Sequence, residues 1–563
     1  MRNPITLVDD TTRAAIARDS SIASGNFLAA CLATSPAPDE PILSLEKKLR
    51  PFTGGTFSEL SLRQLDRLAR KYAGLYALLG VRSQDPIVVY LDDGVEYLVH
   101  YLALSRLGAI GVLTNGNMPS AIALAHARNV GAVGIYTDRN HRHAFTEAEK
   151  EFRFVATDES VGQLLGQSVG QSFGQFSQRE LPDVPAYRHD ALDPIMIAHS
   201  SGTTGIPKAV LLQHESFFYG VRYRLGVARV PGGETILSSL PHSHNCAIAY
   251  LMLALLSGTP VYITSDHSGA SVLKRIEDVK PKMVVSFPQT YVEMTENDLD
   301  RFDLSSVNLW FNGGDAAHEA HIRALIQRGS HMENGKIVPG SIFIDGMGSS
   351  EMGFSLFRNV HTVKTNNYNR CVGQPLEWVD AQILSENGEK LGPFQIGRLG
   401  VKAPSVTTGY WNDSVLTYRS RLGGYFLTGD LAYRDENNRF YHVDRTPDVI
   451  RTQSGPVYGL RTEEFLLSHF SGLVDCTVFG RPITGSELHL PAVRAKIRPH
   501  SDLATLDDQA LLKLFNRRLE DAGLPELSEL KIVESHEIPL GTTGKVLKRE
   551  LRAKTVSQKE SAL

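Results

Sequence analysis

Between Ser200 and Val210 the chain reads SSGTTGIPKAV. Glycines there let backbone N–H groups turn inward, Ser and Thr hydroxyls add donors, and Lys208 adds positive charge. Such a set suits a polyphosphate. It is not a Walker A loop, because five positions after Gly202 stands Pro207 where that motif needs glycine. Taken alone, the segment could also be a turn-rich linker. Leu240–Asn245 reads LPHSHN. On an extended strand His242, His244 and Cys246 alternate onto one face. Three such side chains could hold zinc, although no fourth ligand stands nearby. His141 and His143 read most simply as surface residues.

Elements to carry these residues are visible in the hydrophobic pattern. PIVVYL (Pro86–Leu91) reads as a buried strand, and Glu96–Gly108 as a helix closed by glycine. Ala132–Thr137, Phe152–Thr157, Pro194–His199, Pro260–Thr264 and Lys282–Phe287 continue as strands. Strand–helix alternation implies layered α/β structure with much parallel sheet. Val161–Gln178, rich in Gly, Gln and Ser, reads as an exposed connector. After about Arg445 the elements shorten and a basic C-terminal stretch follows. The expected division is a large α/β domain over 1–444, a hinge at 445–447, and a small mobile α+β lid over 448–563.

The chain has 563 residues, more than one compact core accommodates. Its net charge of −4 does not suggest a coat for nucleic acid or an anionic membrane. Cys31, Cys246, Cys371 and Cys476 are dispersed and form no CxxC pair, which fits a reducing compartment. No apolar run approaches the roughly 20 residues of a bilayer span. The expectation is a cytoplasmic protein without a membrane span.

The loop Ser200–Lys208 resembles the signature [ST]-S-G-T-T-G-x-P-K-G of the adenylate-forming superfamily. That superfamily comprises acyl-CoA synthetases, aryl-acid ligases, luciferases and peptide-synthetase adenylation domains. Ala209 replaces the last glycine of the signature. Further motifs follow in the family's order over most of the chain. The resemblance implies that Ser200, Ser201, Gly202, Thr203, Thr204, Gly205 and Lys208 hold the ATP phosphates. GMGSSE (Gly346–Glu351) resembles the aromatic-G-x-T-E segment. It implies Glu351 as the Mg²⁺ ligand, Ser350 at the α-phosphate, and Met347 and Gly348 beside adenine, with Met347 departing from the usual aromatic. Asn312–Asp315 resembles the glycine pair of the adenine and acyl site, placing Gly313, Gly314 and Asp315. Asp430 would take the ribose hydroxyls, and Arg445 the ribose or phosphate. His244 would orient the acyl group, with Asn245 beside it. Lys545, in PLGTTGKVLKREL, would lie between the carboxylate and the α-phosphate.

The implied chemistry has two steps. A carboxylic acid attacks ATP with Mg²⁺ and releases pyrophosphate; then a thiol of coenzyme A, or of carrier-protein phosphopantetheine, takes the acyl group. Lid rotation presents Lys545 for the first step and a face near Gly455 for the second. Pro447 stands where the family carries Asp or Lys, and it restricts the hinge. That departure and Met347 keep open an enzyme of one half-reaction, or one that passes its adenylate to a carrier protein or an amine. A non-catalytic nucleotide-binding module is the reading from another class; Lys545 argues against it. HNCAIAYLML lacks the Asp that holds an α-amino group, and the His244–Asn245 pair resembles aryl-acid ligases.

Overall fold

The computed structural model describes residues 5–161, 181–200, 205–227, 234–314, 316–366, 368–541 and 544–553. Glu96–Leu107 forms a helix that ends where Gly108 takes φ +71°. A Cβ there would lie 2.5 Å from the Tyr187 ring, so glycine satisfies both the left-handed cap and the close approach. Leu62–Leu78 starts with a capping box between Ser61 and Gln64 and buries Leu65, Leu68, Tyr72 and Tyr76. Strand Pro86–Leu91 is buried along its whole length, as its unbroken apolar run requires.

That strand belongs to a six-stranded sheet. Its order is Val155–Ala156, Gly134–Thr137, Pro86–Leu91, Ile110–Asn115, Pro194–Ser200 and Lys208–Gln213. The first five run parallel and the last is antiparallel. In a second sheet, Ile342–Asp345, Leu309–Asn312, Met283–Ser286, Ile236–Ser239 and Val261–Ile263 lie side by side, all parallel. Their C-terminal ends point to the loops that carry the candidate site. An antiparallel group including Gly397–Lys402, Tyr425–Arg434 and Phe440–Arg445 adds Asp430 and Arg445.

Beyond Arg445 the elements are smaller. Leu473–Pro482, His489–Ile497 and Glu529–Ile532 make a three-stranded sheet covered by helices Gly459–His469 and Asp508–Asp521. The architecture is a large α/β part with mixed sheets followed by a smaller α+β part. Leu466, Val478, Val493, Leu511 and Phe515 give the smaller part its own core.

Two expectations are corrected. Phe152–Thr157 is a strand only at Val155–Ala156: a 3₁₀ turn at Glu149–Glu151 precedes it, and Phe152 and Phe154 go into the core. The LPHSHN segment is not a strand. Asn245–Ser257 is a helix with His244 as its N-cap, so His242, His244 and Cys246 share no strand face. All but the first residue of Val161–Gln178 lies outside the described residues. Among the described residues no helix is long and apolar enough to cross a membrane.

Candidate active site

Ser200 and Lys208 are paired neighbours on two antiparallel strands, so the ends of the Ser/Thr-rich segment are held side by side. Ser201, Gly202, Thr203 and Thr204 lie outside the described residues, as does Asp315; Gly205 adopts φ +94°. Ser200 Oγ donates to Glu351 Oε1 at 3.1 Å, and the Tyr410 hydroxyl donates to the same oxygen at 3.1 Å. Burial, and then the Glu351 charge, raise the Tyr410 phenol above its usual range. Lys208 Nζ sits 5.6 Å from the centre of the Tyr410 ring.

Beside this cluster the strand ends Asn312 and Asp345 face each other in register. Asn312 Nδ2 donates to Asp345 Oδ1 at 2.6 Å, and the N–H of Gly314 donates to Asn312 Oδ1 at 3.0 Å. The Ala317 N–H also donates to Asp345, at 3.2 Å. The Gly313–Gly314 loop is therefore moulded on two buried polar side chains. Burial pushes the Asp345 carboxyl up to about 7, against the hydrogen bonds from Asn312 and Ala317. Met347 is buried among Ala316, Met352, Leu356 and Phe357. Gly348 lies close to the Ser355 backbone, 3.1 Å from where its Cβ would stand.

His244 closes the other side. Its Nδ1 accepts from the Cys246 N–H at 3.1 Å, and its Nε2 is 3.5 Å from Ser350 Oγ. Burial, with Lys545 nearby, pushes its pKa down to about 3, so the imidazole is neutral. Asn245 is buried, and its Oδ1 has no hydrogen-bond partner among the described residues. Cys246 Sγ lies 2.8 Å from where a Cβ on Gly313 would stand. Its thiol is pushed up to about 12 by burial and stays protonated. Asp430 is buried with Arg445 opposite it in strand register, Arg445 Nε 3.0 Å from Asp430 Oδ1.

The smaller C-terminal part reaches into this site. Lys545 acts electrostatically on His244, and Gly544 is seated against Gln289, whose Cβ lies 2.7 Å from where a Gly544 Cβ would be. His318 Nδ1 meets Glu464 Oε2 at 2.5 Å, His321 Nε2 donates to the Val474 carbonyl at 2.9 Å, and Arg498 donates to the Thr295 carbonyl at 3.2 Å. Pro447 is in a 3₁₀ turn, Thr446–Asp448. Gly455, at φ +117°, has no atom within 4 Å of where its Cβ would be. The structure brings Lys545 to His244 and leaves the Cβ side of the half-buried Gly455 open.

Three groups were not anticipated from sequence. Tyr410 and Asp345 buttress Glu351 and the Gly313–Gly314 loop. Asp93 binds the LPHSHN turn: it accepts from the His242 N–H at 2.7 Å, from His242 Nδ1 at 2.7 Å and from His267 Nε2 at 2.9 Å. His242 thus belongs to a different set from His244. His141 is partly buried rather than a surface residue, held by Asp138 at 2.7 Å, whereas His143 is exposed.

Residues 37–411 match the AMP-binding enzyme family. The chain belongs to that family. A 3-aminoavenalumate diazotase from Streptomyces sp is 40% identical, with 99% of this chain and 100% of that protein covered. The 4-coumarate--CoA ligase 2 of Oryza sativa subsp. japonica is 24% identical over 92% of this chain and 90% of its own. In structure, the anthranilate CoA ligase AuaEII in complex with anthranoyl-AMP superposes with TM-score 0.80 at 18% identity, covering 97% of this chain and 99% of that one.

This AMP-binding enzyme is adenylate-forming. ATP binding and Mg²⁺-assisted adenylation are typical of its family. The donor set fits that ion: Glu351 is buried, and its Oε1 is met by the Ser200 and Tyr410 hydroxyls. A hard cation takes carboxylate and hydroxyl oxygens of this kind. Mg²⁺ held there would neutralise phosphate charge.

Proposed function

We propose that this AMP-binding enzyme is an ATP-dependent diazotase that activates nitrite and passes the nitrosyl group to a primary aromatic amine. The observation that carries this reading is the 40% identity to a diazotase along both whole chains, against 24% to CoA ligases. Nitrite offers the same nucleophile as a carboxylate, an anionic oxygen on a small planar group. Its oxygen attacks the α-phosphorus of ATP, the bond to pyrophosphate breaks, and nitrosyl-AMP forms. The amine nitrogen then attacks the nitrosyl nitrogen, AMP leaves with the bonding pair, and the amine proton goes to solvent. Loss of water from the N-nitrosamine under acid catalysis leaves the aryl diazonium ion.

In this reading the Ser/Thr-rich segment between Ser200 and Lys208, with Lys208, receives the phosphates. Asp430 and Arg445 receive the ribose. Lys545 steadies charge as the oxyanion approaches phosphorus. His244, neutral at working pH, faces Ser350 and the α-phosphate without drawing a second anion. The amine N–H donates to the buried acceptor Asn245 Oδ1, which takes no partner among the described residues. Domain bounds near 444 and 448 and a hinge at Pro447 complete the proposal.

A second reading, acid–thiol ligation to coenzyme A, is favoured by the family's CoA ligases and by the fold likeness to AuaEII. Pyrophosphate exchange into ATP separates the two. Exchange that depends on nitrite, followed by an azo dye on coupling with 2-naphthol when an aminoarene is added, is expected. Exchange driven by carboxylic acids and indifferent to nitrite would replace the diazotase reading with the ligase one.

A further inference from the structure

Helix His214–Gly226 presents two different faces. Tyr219 and Tyr223, one turn apart, pack on Trp378 with ring centroids at 5.1 and 6.0 Å. Gly220 and Arg224 form the adjacent stripe. Gly220 is pressed against Phe354, whose Cγ lies 2.3 Å from where its Cβ would be. Phe354 stacks on Tyr250 at 5.7 Å and 21°, and Tyr250 packs on Phe311 at 4.8 Å. Phe311 is the next neighbour of Gly313 after Cys246. A continuous aromatic wall therefore runs from the adenylate end of the site, at Gly313, to Gly220, one helical turn before Arg224.

Arg224 is partly buried near the far end of that wall. Burial lowers its pKa, with Arg358 acting in the same sense and the Tyr250 and Tyr223 phenols against it. Arg222, two positions earlier, shows what an internally paired arginine looks like on this helix. It holds Glu215 at 2.9 Å and the Asp19 and Ile22 carbonyls. Among the described residues neither Arg224 nor Arg358 has an ion pair. Arg358, on strand Phe357–His361, is exposed, whereas the Arg224 guanidinium is partly withdrawn from water, and an anionic ligand beside it offsets that cost.

We propose that Arg224, assisted by Arg358, holds a carboxylate of the amine substrate at the end of the pocket remote from the adenylate. The substrate is then an extended aminoarene acid: its ring lies along Phe311, Tyr250 and Phe354, its amine is at Gly313, and its acid group is on Arg224. This rests on the diazotase reading for the identity of the reacting group, and on the arginines for the class of substrate.

The test compares 3-aminocinnamate with 3-aminocinnamamide as acceptors, with nitrite and Mg·ATP, in the native enzyme, Arg224→Gln and Arg358→Gln. AMP affinity and melting temperature establish that each variant is folded. The native enzyme is expected to prefer the acid by about 10–100-fold in kcat/KM, the worth of a charge-assisted hydrogen bond. Arg224→Gln loses that preference through KM, and Arg358→Gln reduces it. Equal use of acid and amide by the native enzyme, or a preference that survives in Arg224→Gln, overturns the site. If the native enzyme shows no nitrite-dependent exchange, the diazotase reading has failed, and calorimetry with AMP-bound protein then judges the arginines. Tighter binding of the acid, abolished in Arg224→Gln, sustains them; equal binding refutes them.

Discussion

Ser200 and Glu351, 151 residues apart in sequence, meet at 3.1 Å, and the oxygen that joins them also accepts from Tyr410. The carboxylate is thus aimed by two hydroxyls while its charge remains available to a cation. Tyr410→Phe removes one orienting bond, and the expected loss in Mg²⁺ affinity is about 10–100-fold, as for other outer partners of a metal ligand. Glu351→Gln removes the charge itself. Titration of pyrophosphate exchange with Mg²⁺ distinguishes them: high Mg²⁺ restores Tyr410→Phe and leaves Glu351→Gln impaired. Equal rescue of both variants would show that Glu351 is not a metal ligand.

Lys545 reaches the site from the C-terminal part on a turn in which Gly544, at φ +77°, is pressed against Gln289. Lys545→Ala should lower pyrophosphate exchange by about 100-fold or more, the scale for losing one group that stabilises transition-state charge. Binding of AMP should change little. Gly544→Ala places a methyl group into Gln289 and forces a left-handed residue. It should weaken exchange in the same sense without removing the amine. A Gly544→Ala enzyme with native exchange rates would show that the turn does not position Lys545.

Much of this arrangement was legible in the sequence where a motif is local. The loop after the strand at Pro194, the glycine that closes the helix at Gly108, and Lys545 after Gly-Thr-Thr-Gly each declare themselves within a dozen residues. What was not legible depends on distant partners. Tyr410 lies 59 residues from Glu351, and nothing around it marks its hydroxyl for that carboxylate. Asp345 reads as an ordinary strand end until Asn312 is set beside it. His244 was set on a strand by its alternation with His242 and Cys246, and in the apolar run that follows, Ala247–Leu256, periodicity alone cannot separate a buried strand from a buried helix. Its continuation to Ser257, 13 residues in all, is what decides for helix.

Pro447 lies in the 3₁₀ turn Thr446–Asp448, and Asp448 is tied to Arg552 at 2.7 Å. Proline there narrows φ and limits how the turn can swing. Replacing Pro447 with Asp should therefore change the ratio of the two half-reactions, with the acceptor step gaining relative to adenylation. Single-turnover measurements, one of pyrophosphate release and one of AMP release, give the two rates. Unchanged rates for both steps would remove the proposed hinge at Pro447.

Asp345 carries a pH signature. In the folded chain burial holds its carboxyl near 7, whereas an unfolded aspartate titrates at about 4. Between those values the folded protein keeps a proton that the unfolded chain has released. Stability then falls as pH rises from about 4 to 7 and is level above that. Asn keeps the oxygen that accepts from Asn312 Nδ2 and cannot ionise. Asp345→Asn should therefore lose less stability than the native chain over that interval. Glu96, at about 7, and Asp158 and Asp475, at about 6, are shifted in the same direction by burial. Both proteins will consequently slope, and the measurement is the difference between their denaturation midpoints at pH 5 and pH 8. A difference that does not change with pH would show that Asp345 is ionised throughout, with the Asn312 and Ala317 hydrogen bonds outweighing its burial.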